Sequence, residues 1–405
     1  MNILYLSYWE VNDPLTTSTV FPHLEILNSF ANVNQIIFTS AERSGKPVNV
    51  KIDLPKVKHI PLFSKNFNVN ILNKIIDFIT FQNQLKQIVR KYSIDIIIAR
   101  GALAGALAYK LYRATKIPFF VESFEPHADY MKEAGVWGRY DLRYFFQRKW
   151  EQQQLENASG IMPVSANYKK HLTEQGGDST LIYTIPCCVP VDKFRFSPDK
   201  RNTIRNLLGI SPNQAVGIYV GKFGGMYYDK ESFQIFKQVF YNYKNDFKLI
   251  ILSPDNKDSI IKRLKKEGIP EKNVFIGFAK HEEVPDYLSA SDFAFALYKP
   301  SPSAKYLSPV KIGEYWANGL PVLCAGEVGD DSAIIRKEDA GAVFEPNPAS
   351  IDEGMKKINV LIADPSTRTR IHNLAEKYRS FQIANNVYLH FYGQTKQLNQ
   401  KVKIS

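Results

Sequence analysis

Apolar residues in this chain fall into short blocks of strand length, separated by longer stretches in which they recur every three or four positions. In the first half the blocks lie at 1–9 (MNILYLSYW), 35–39, 94–99 (IDIIIA), 118–122, 159–165 (SGIMPVS) and 181–185, and each reads as a strand. Helical periodicity marks 20–30, 140–156 and a small-residue stretch from Leu103. It is clearest at 70–92, with apolar residues at 71, 72, 75, 76, 79, 85, 88 and 89. Phe78 and Phe81 stand off that stripe among lysines, facing either another part of the domain or a membrane. The segment 11–19 (VNDPLTTST) reads as a polar loop, whose hydroxyls at Thr16, Thr17, Ser18 and Thr19 either cap the entry to the next helix or hold a polar ligand. Residues 40–65, with several prolines and lysines, read as irregular.

A second alternation begins at Ala215 and runs through blocks at 247–253, 273–276, 293–298, 322–325 and 342–344, with helical patterns between them. Strands alternating with helices in this way predict a second parallel α/β domain. The intervening PCCVPVDKFRF at 186–196 is the linker, and 379–398 reads as a helix able to pack back across it. The expected division is therefore 1–190, with 379–405 returning to it, and 191–378. Within the second domain, Ser308 is placed to supply an N-cap oxygen and Pro309 to take the first helical position. Asn318-Gly319, followed by Pro321, ends that helix. The predicted helix opens with amide groups directed out of the carboxyl end of a strand, where a doubly wound sheet holds an anion.

Composition narrows the partners. With 405 residues, 44% hydrophobic and 23% charged, the chain has the make-up of an ordinary two-domain protein. Its formal charge of +12 suits nucleic acid, an anionic membrane surface or a phosphorylated substrate, and equally a solvated basic surface. Nucleic acid rests on charge alone, because the basic residues are scattered among acidic ones. The first nine residues have no basic lead and are followed at once by Glu10 and Asp13, which reads as a strand and not a signal peptide. The longest apolar stretch, 94–109, is broken by Asp95 and Arg100, so no membrane span is expected. Cys187, Cys188 and Cys324 make neither a disulfide framework nor a zinc site. The expected setting is the cytoplasm, with the inner face of a membrane as its alternative. The helix at 140–156 mixes Tyr144, Phe145, Phe146 and Trp150 with Arg139 just ahead of it and with Arg143, Arg148 and Lys149, which suits either an interfacial helix or core packing.

The candidate chemistry collects at strand ends. Val220-Gly221-Lys222-Phe223-Gly224-Gly225 follows the first strand of the second domain, and Lys230 stands where the next helix begins. Glycines let the backbone approach a ligand. The two lysines share a strand-carboxyl rim with the amides at 308–311. Taken singly each lysine reads as a solvated side chain; together with those amides they supply the fixed positive charge that a departing pyrophosphate requires. Glu314, further along that helix, is placed to accept hydrogen bonds from two neighbouring sugar hydroxyls, or else is a surface residue. His127 follows a strand end among Glu122, Glu125 and Asp129, in an expected loop, as a surface histidine or a catalytic one.

Taken together these residues resemble the retaining, GT-B-fold glycosyltransferases of family 4, which carry a C-terminal Glu-x7-Glu signature. The resemblance rests on Gly221-Lys222 with Lys230, on GFAKHEEVPDYLSASD at 277–292, on SPVKIGEYWANGLPV at 308–322 and on GEVGD at 326–330. It implies two Rossmann-like doubly wound parallel-sheet domains facing across a cleft, with a C-terminal helix crossing back. It implies a nucleoside-diphosphate sugar as donor, held in the second domain by Lys222, Lys230, Phe278, Ser308, Pro309, Val310, Lys311 and Glu314. Lys222 and Lys230 would contact the diphosphate, Glu314 the ribose, and His127 would lie near the reacting sugar. No metal and no cofactor beyond the donor are implied. The acceptor would be a glycan or a lipid-linked sugar in bacterial surface polysaccharide synthesis, with peripheral membrane contact. Two features depart from the family pattern: Tyr306 occupies the position of the first signature glutamate, and the N-terminal glycine pair is absent. A nucleotide-sugar epimerase and a non-catalytic nucleotide-sugar binder are the alternatives, the second prompted by Tyr306.

Overall fold

A computed structural model describes residues 1–43, 50–64, 70–244 and 246–391. The chain forms two compact units, one of Met1–Pro186 with the segment that begins at Phe381, the other of Cys187–Ser380. In the first unit lie β1 (Asn2–Ser7), β2 (Gln35–Thr39), β3 (Ala41–Glu42), β4 (Val57–His59), β5 (Leu62–Phe63), β6 (Ile96–Arg100), β7 (Phe119–Ser123) and β8 (Gly160–Pro163). Six of these form a sheet in the order β4-β2-β1-β6-β7-β8, and every pairing in it is parallel. Leu4 sits opposite Ile37 on one side and Ile97 on the other. Runs such as Ile96–Arg100 are buried at every position, as a parallel sheet covered on both faces demands.

Several expectations for this unit change. The segment expected as a polar loop contains a helix, Pro14–Thr19, because Asp13 accepts a hydrogen bond from the Leu15 amide and Pro14 takes the first position. The Thr16 and Thr19 hydroxyls donate to the carbonyls of Glu10 and Leu15, so they serve the helix. Residues 40–65, expected as irregular, contribute edge strand β4 and the separate pair β3–β5. The block at 181–185 forms no strand; it is a single turn of 3-10 helix, Ser179–Leu181, followed by one isolated bridge between Ile161 and Ile182. Phe78 and Phe81 are buried, and the Phe78 ring stacks on Trp150 at 4.7 Å, so packing accounts for both.

The helix Thr367–Arg379 ends at Ser380, which is extended, and a new helix occupies 381–391. The expected continuation over 392–398 lies outside the described residues. Tyr388 on this last helix donates to Glu122 Oε1, while Tyr5 donates to Glu122 Oε2 at 2.8 Å. Burial alone would raise the Glu122 carboxyl; Arg100 and His23 beside it, with the Tyr388 hydroxyl, hold it below the usual range instead.

The second unit repeats the architecture with β9 (Ala215–Val220), β10 (Phe247–Leu252), β11 (Val274–Gly277), β12 (Phe293–Ala296), β13 (Val322–Ala325) and β14 (Gly341–Phe344). In the order β11-β10-β9-β12-β13-β14 the chain starts at the central strand β9, works outwards to β11, then returns to the centre at β12 and works the other way. Chain direction along the sheet therefore reverses between β9 and β12, and the crevice outside their carboxyl ends is where an open α/β sheet takes ligand. Gly217, opposite Phe293, keeps the two strands close: a Cβ there would stand 2.7 Å from the rings of Phe247 and Phe295. Among the described residues no helix is long and apolar enough to cross a membrane.

Candidate functional site

The segment leaving β9 turns sharply at Gly221, Gly224 and Gly225, whose φ values of 139°, 80° and 65° belong to the region that side chains disfavour. It then lies antiparallel to the segment leaving β12. Tyr227 bridges Tyr298, the Tyr228 amide donates to the Leu297 carbonyl at 3.0 Å, and the Lys299 amide donates to Met226 at 2.9 Å. Two further bonds fix the turn. The Tyr219 hydroxyl donates to the Lys222 carbonyl at 2.6 Å, and Asp255 accepts from the Phe223 amide at 2.7 Å. Lys222 is exposed on this loop, and Lys230, also exposed, opens the helix Lys230–Asn242.

On the other side of the crevice stands the helix Val310–Ala317. Its N-cap is Pro309, not Ser308 as the sequence suggested. The Ser308 hydroxyl is used elsewhere: it accepts from the Cys187 amide at 3.1 Å and from the buried guanidinium of Arg379. Arg379 also binds Asp331, and so anchors the approach to the helix from beneath. The first-turn amides of Val310 and Lys311 have no acceptor within the helix. The Lys311 side chain folds inward. Its ammonium lies 4.0 Å from the ring centre of Tyr227, 5.4 Å from that of Tyr298 and 5.5 Å from that of Tyr219. It has no hydrogen-bond partner among the described residues. Burial pulls its pKa below the usual lysine value, against the opposing influence of Tyr227 and Glu314.

Glu314 is buried, with 6% of its surface exposed, which removes the reading as a surface residue. Its carboxylate meets His281 Nε2 at 2.7 Å. That hydrogen bond raises the pKa of His281 above 6.5, with the carboxylate's charge adding to it and burial working against it. The His281 ring packs against Phe194 at 5.3 Å, and the neighbouring Tyr315 hydroxyl accepts from the Val220 amide at 3.3 Å. Tyr306 is half-buried in the short 3-10 turn Ala304–Tyr306.

The crevice thus brings the loop of Lys222 together with Lys311 and, one turn further along the same helix, Glu314. Phe278, 73% exposed, follows β11, two strands away from β9. His127 belongs to the first unit. It opens a helix, His127–Glu133, and is not in a loop; its Nδ1 meets Glu125 at 2.9 Å and its ring meets Trp137 edge-on at 5.8 Å. The Ala128 amide of that helix donates to Glu151, whose carboxyl burial pushes up to about 7. Sequence reasoning missed His281 and the tyrosines around Lys311. His281 stands four residues past the end of β11, and Tyr298 two past the end of β12, so position at the carboxyl rim was the available signal.

The family described as Glycosyl transferases group 1 matches residues 200–378, and Glycosyltransferase Family 4 matches residues 35–193. A search of curated proteins finds no match. Among solved structures, a sucrose-phosphate synthase from Thermosynechococcus elongatus superposes with a TM-score of 0.78 at 15% identity, over 98% of this chain and 100% of that one. Anabaena HepE in complex with UDP-glucose gives 0.65 at 14% identity, over 99% and 100%. WaaG, a glycosyltransferase involved in lipopolysaccharide biosynthesis, gives 0.63 at 15% identity, over 94% and 95%. At these identities the likeness is one of fold, and the fold is GT-B.

Proposed function

Because this chain belongs to the group 1, family 4 glycosyltransferases, we propose that it moves a sugar from a nucleoside diphosphate to a glycan or lipid-linked acceptor with retained anomeric configuration. The bond from the anomeric carbon to the diphosphate oxygen breaks, its electron pair leaving with the diphosphate. The acceptor oxygen bonds the same carbon from the same face, and its proton passes to a diphosphate oxygen. Lys222, Lys230 and the amides of Val310 and Lys311 stabilise the charge that develops on the leaving group. Glu314 accepts from the ribose hydroxyls. His127 is assigned to the neighbourhood of the reacting sugar, and Phe278 to donor binding, by the resemblance alone.

One observation carries this reading: a buried carboxylate and a buried cation project from one short helix at the reversal point of a parallel sheet. The acceptor side draws support from the first unit. Its helix Leu142–Asn157 exposes Leu142, Phe145 and Phe146 beside Arg143, Arg148 and Lys149. That mixture fits an anionic bilayer carrying a lipid-linked sugar, and solved relatives of the same fold include a lipopolysaccharide outer core galactosyltransferase. The test is a thermal-shift screen of the purified chain with UDP-, GDP- and ADP-sugars. One base and sugar should raise the unfolding midpoint in proportion to the logarithm of concentration. A flat response to all of them would remove the proposal. Binding without release of the nucleoside diphosphate would favour the non-catalytic binder that Tyr306 suggests.

A further inference from the structure

The first unit has an opening of its own. Between the helices His127–Glu133, Leu142–Asn157 and Ala166–Glu174 lies a groove of about 250 Å³, bordered by Asp129, Phe145, Glu151, Leu155 and Leu172. That is just under the ~300 Å³ at which sites for drug-sized ligands begin, so it suits a single ring and not a nucleotide. Glu151 has one oxygen committed. Its Oε1 accepts from the Ala128 amide at 3.0 Å and from the Gln147 side chain at 2.9 Å, whereas among the described residues Oε2 has no hydrogen-bond partner. Burial pushes this carboxyl up to about 7, against the Gln147 hydrogen bond and the charge of His127. Near neutral pH it is therefore divided between its two forms, and the open oxygen can accept from a hydroxyl or donate to one. Asp129 is already taken, by Arg148 at 3.1 Å and by the Tyr144 hydroxyl at 3.0 Å. Gln152 and Gln175 add neutral amides to the same groove, and Phe145 adds an exposed ring.

These groups exclude most ligands. An inorganic anion would meet the Glu151 oxygen, and an acyl chain would bury that oxygen without a partner. A carboxyl and two amides beside an aromatic ring and two leucines match a molecule with hydroxyls around its edge and an apolar face, which describes a pyranose ring. We propose that the groove is a sugar-binding site of the first unit, taking one uncharged pyranose of the acceptor glycan with its hydroxyls on Glu151 and its apolar face on Phe145. This rests on the reading of the chain as a glycosyltransferase and names a part that its acceptor must carry. Phe145 stands one turn beyond Leu142 and beside Phe146, so a sugar borne on a bilayer lipid would reach the groove from the apolar end of that helix.

The experiment uses saturation-transfer NMR on the intact chain with the methyl glycosides of glucose, galactose, mannose and N-acetylglucosamine. At least one should take up saturation, and its affinity is then measured by titration. Glu151→Ala should weaken it roughly tenfold or more, as loss of a hydrogen bond to a charged group would, and Phe145→Ala roughly two- to tenfold. Glu151→Gln keeps an acceptor for the Ala128 amide and one for the sugar, and should recover most of the affinity lost in Glu151→Ala. UDP and inorganic phosphate at saturating concentration should leave the glycoside in place. Displacement by UDP would put the sugar in the donor crevice, and displacement by phosphate would make the groove an anion site at Arg148 and Lys149; either overturns the proposal. So would binding of no glycoside, equal affinity in wild type and both Glu151 variants, or loss of fold in both. A response to nucleotide sugars without glycoside binding would sink the groove alone. Glycoside binding without any response to nucleotide sugars would remove the transferase reading, and the acceptor role with it.

Discussion

Glu314 and His281 divide a task between them. On the proposed reading the Glu314 carboxylate meets two sugar hydroxyls, and the imidazole 2.7 Å away holds it in place before a sugar arrives. Because His281 titrates higher in the folded chain than its ordinary 6.5, the stability it contributes is fully present below about pH 6.5 and is lost as pH rises through the raised value. Comparing wild type with His281→Gln by chemical denaturation across that range checks the sign. The wild-type advantage should be greatest on the acidic side and fade on the alkaline side. An advantage that grows with pH would show the pair to be misassigned. The histidine is half exposed, so the effect is small next to that of a buried pair.

At the scale of elements, the helix Val310–Ala317 is held from beneath by Arg379, a residue much later in the chain. Replacing Arg379 by Met would leave Asp331 buried and unpaired, at a cost of about 3–5 kcal/mol in urea unfolding. A loss under about 1 kcal/mol would mean that the pair is solvated or dispensable. The same contact explains where local reasoning failed. Ser308 has the residue type and position of an N-cap, but a guanidinium brought in by tertiary structure takes its hydroxyl. Strands of the second unit were legible because they are buried on both faces and read as continuous apolar runs; β13 falls where the apolar block placed it. Short edge strands such as β4, with a half-exposed pattern, carry no such signal. Glu314 could be found from helix phase and a motif, whereas the inward turn of Lys311 depends on three tyrosines distributed over two strand ends and a loop.

At the scale of the molecule, a formal charge of +12 gives the chain a general attraction to anionic surfaces. The first unit adds exposed Phe145 and Phe146 to it. Changing both to Ser should weaken sedimentation with vesicles containing anionic lipid several-fold and leave the unfolding midpoint within about 2–4 °C of wild type. Unchanged vesicle binding would leave the acceptor route without a membrane surface at that helix. The central claim, that the crevice beside β9 and β12 activates a sugar donor, is tested most directly by release of nucleoside diphosphate from the donor that stabilises the chain. Wild type should turn over, while folded Glu314→Ala and Lys230→Ala variants should fall about 10²- to 10³-fold, the scale set by removing one preorganised group from a developing charge. Wild-type rates in both variants would contradict it.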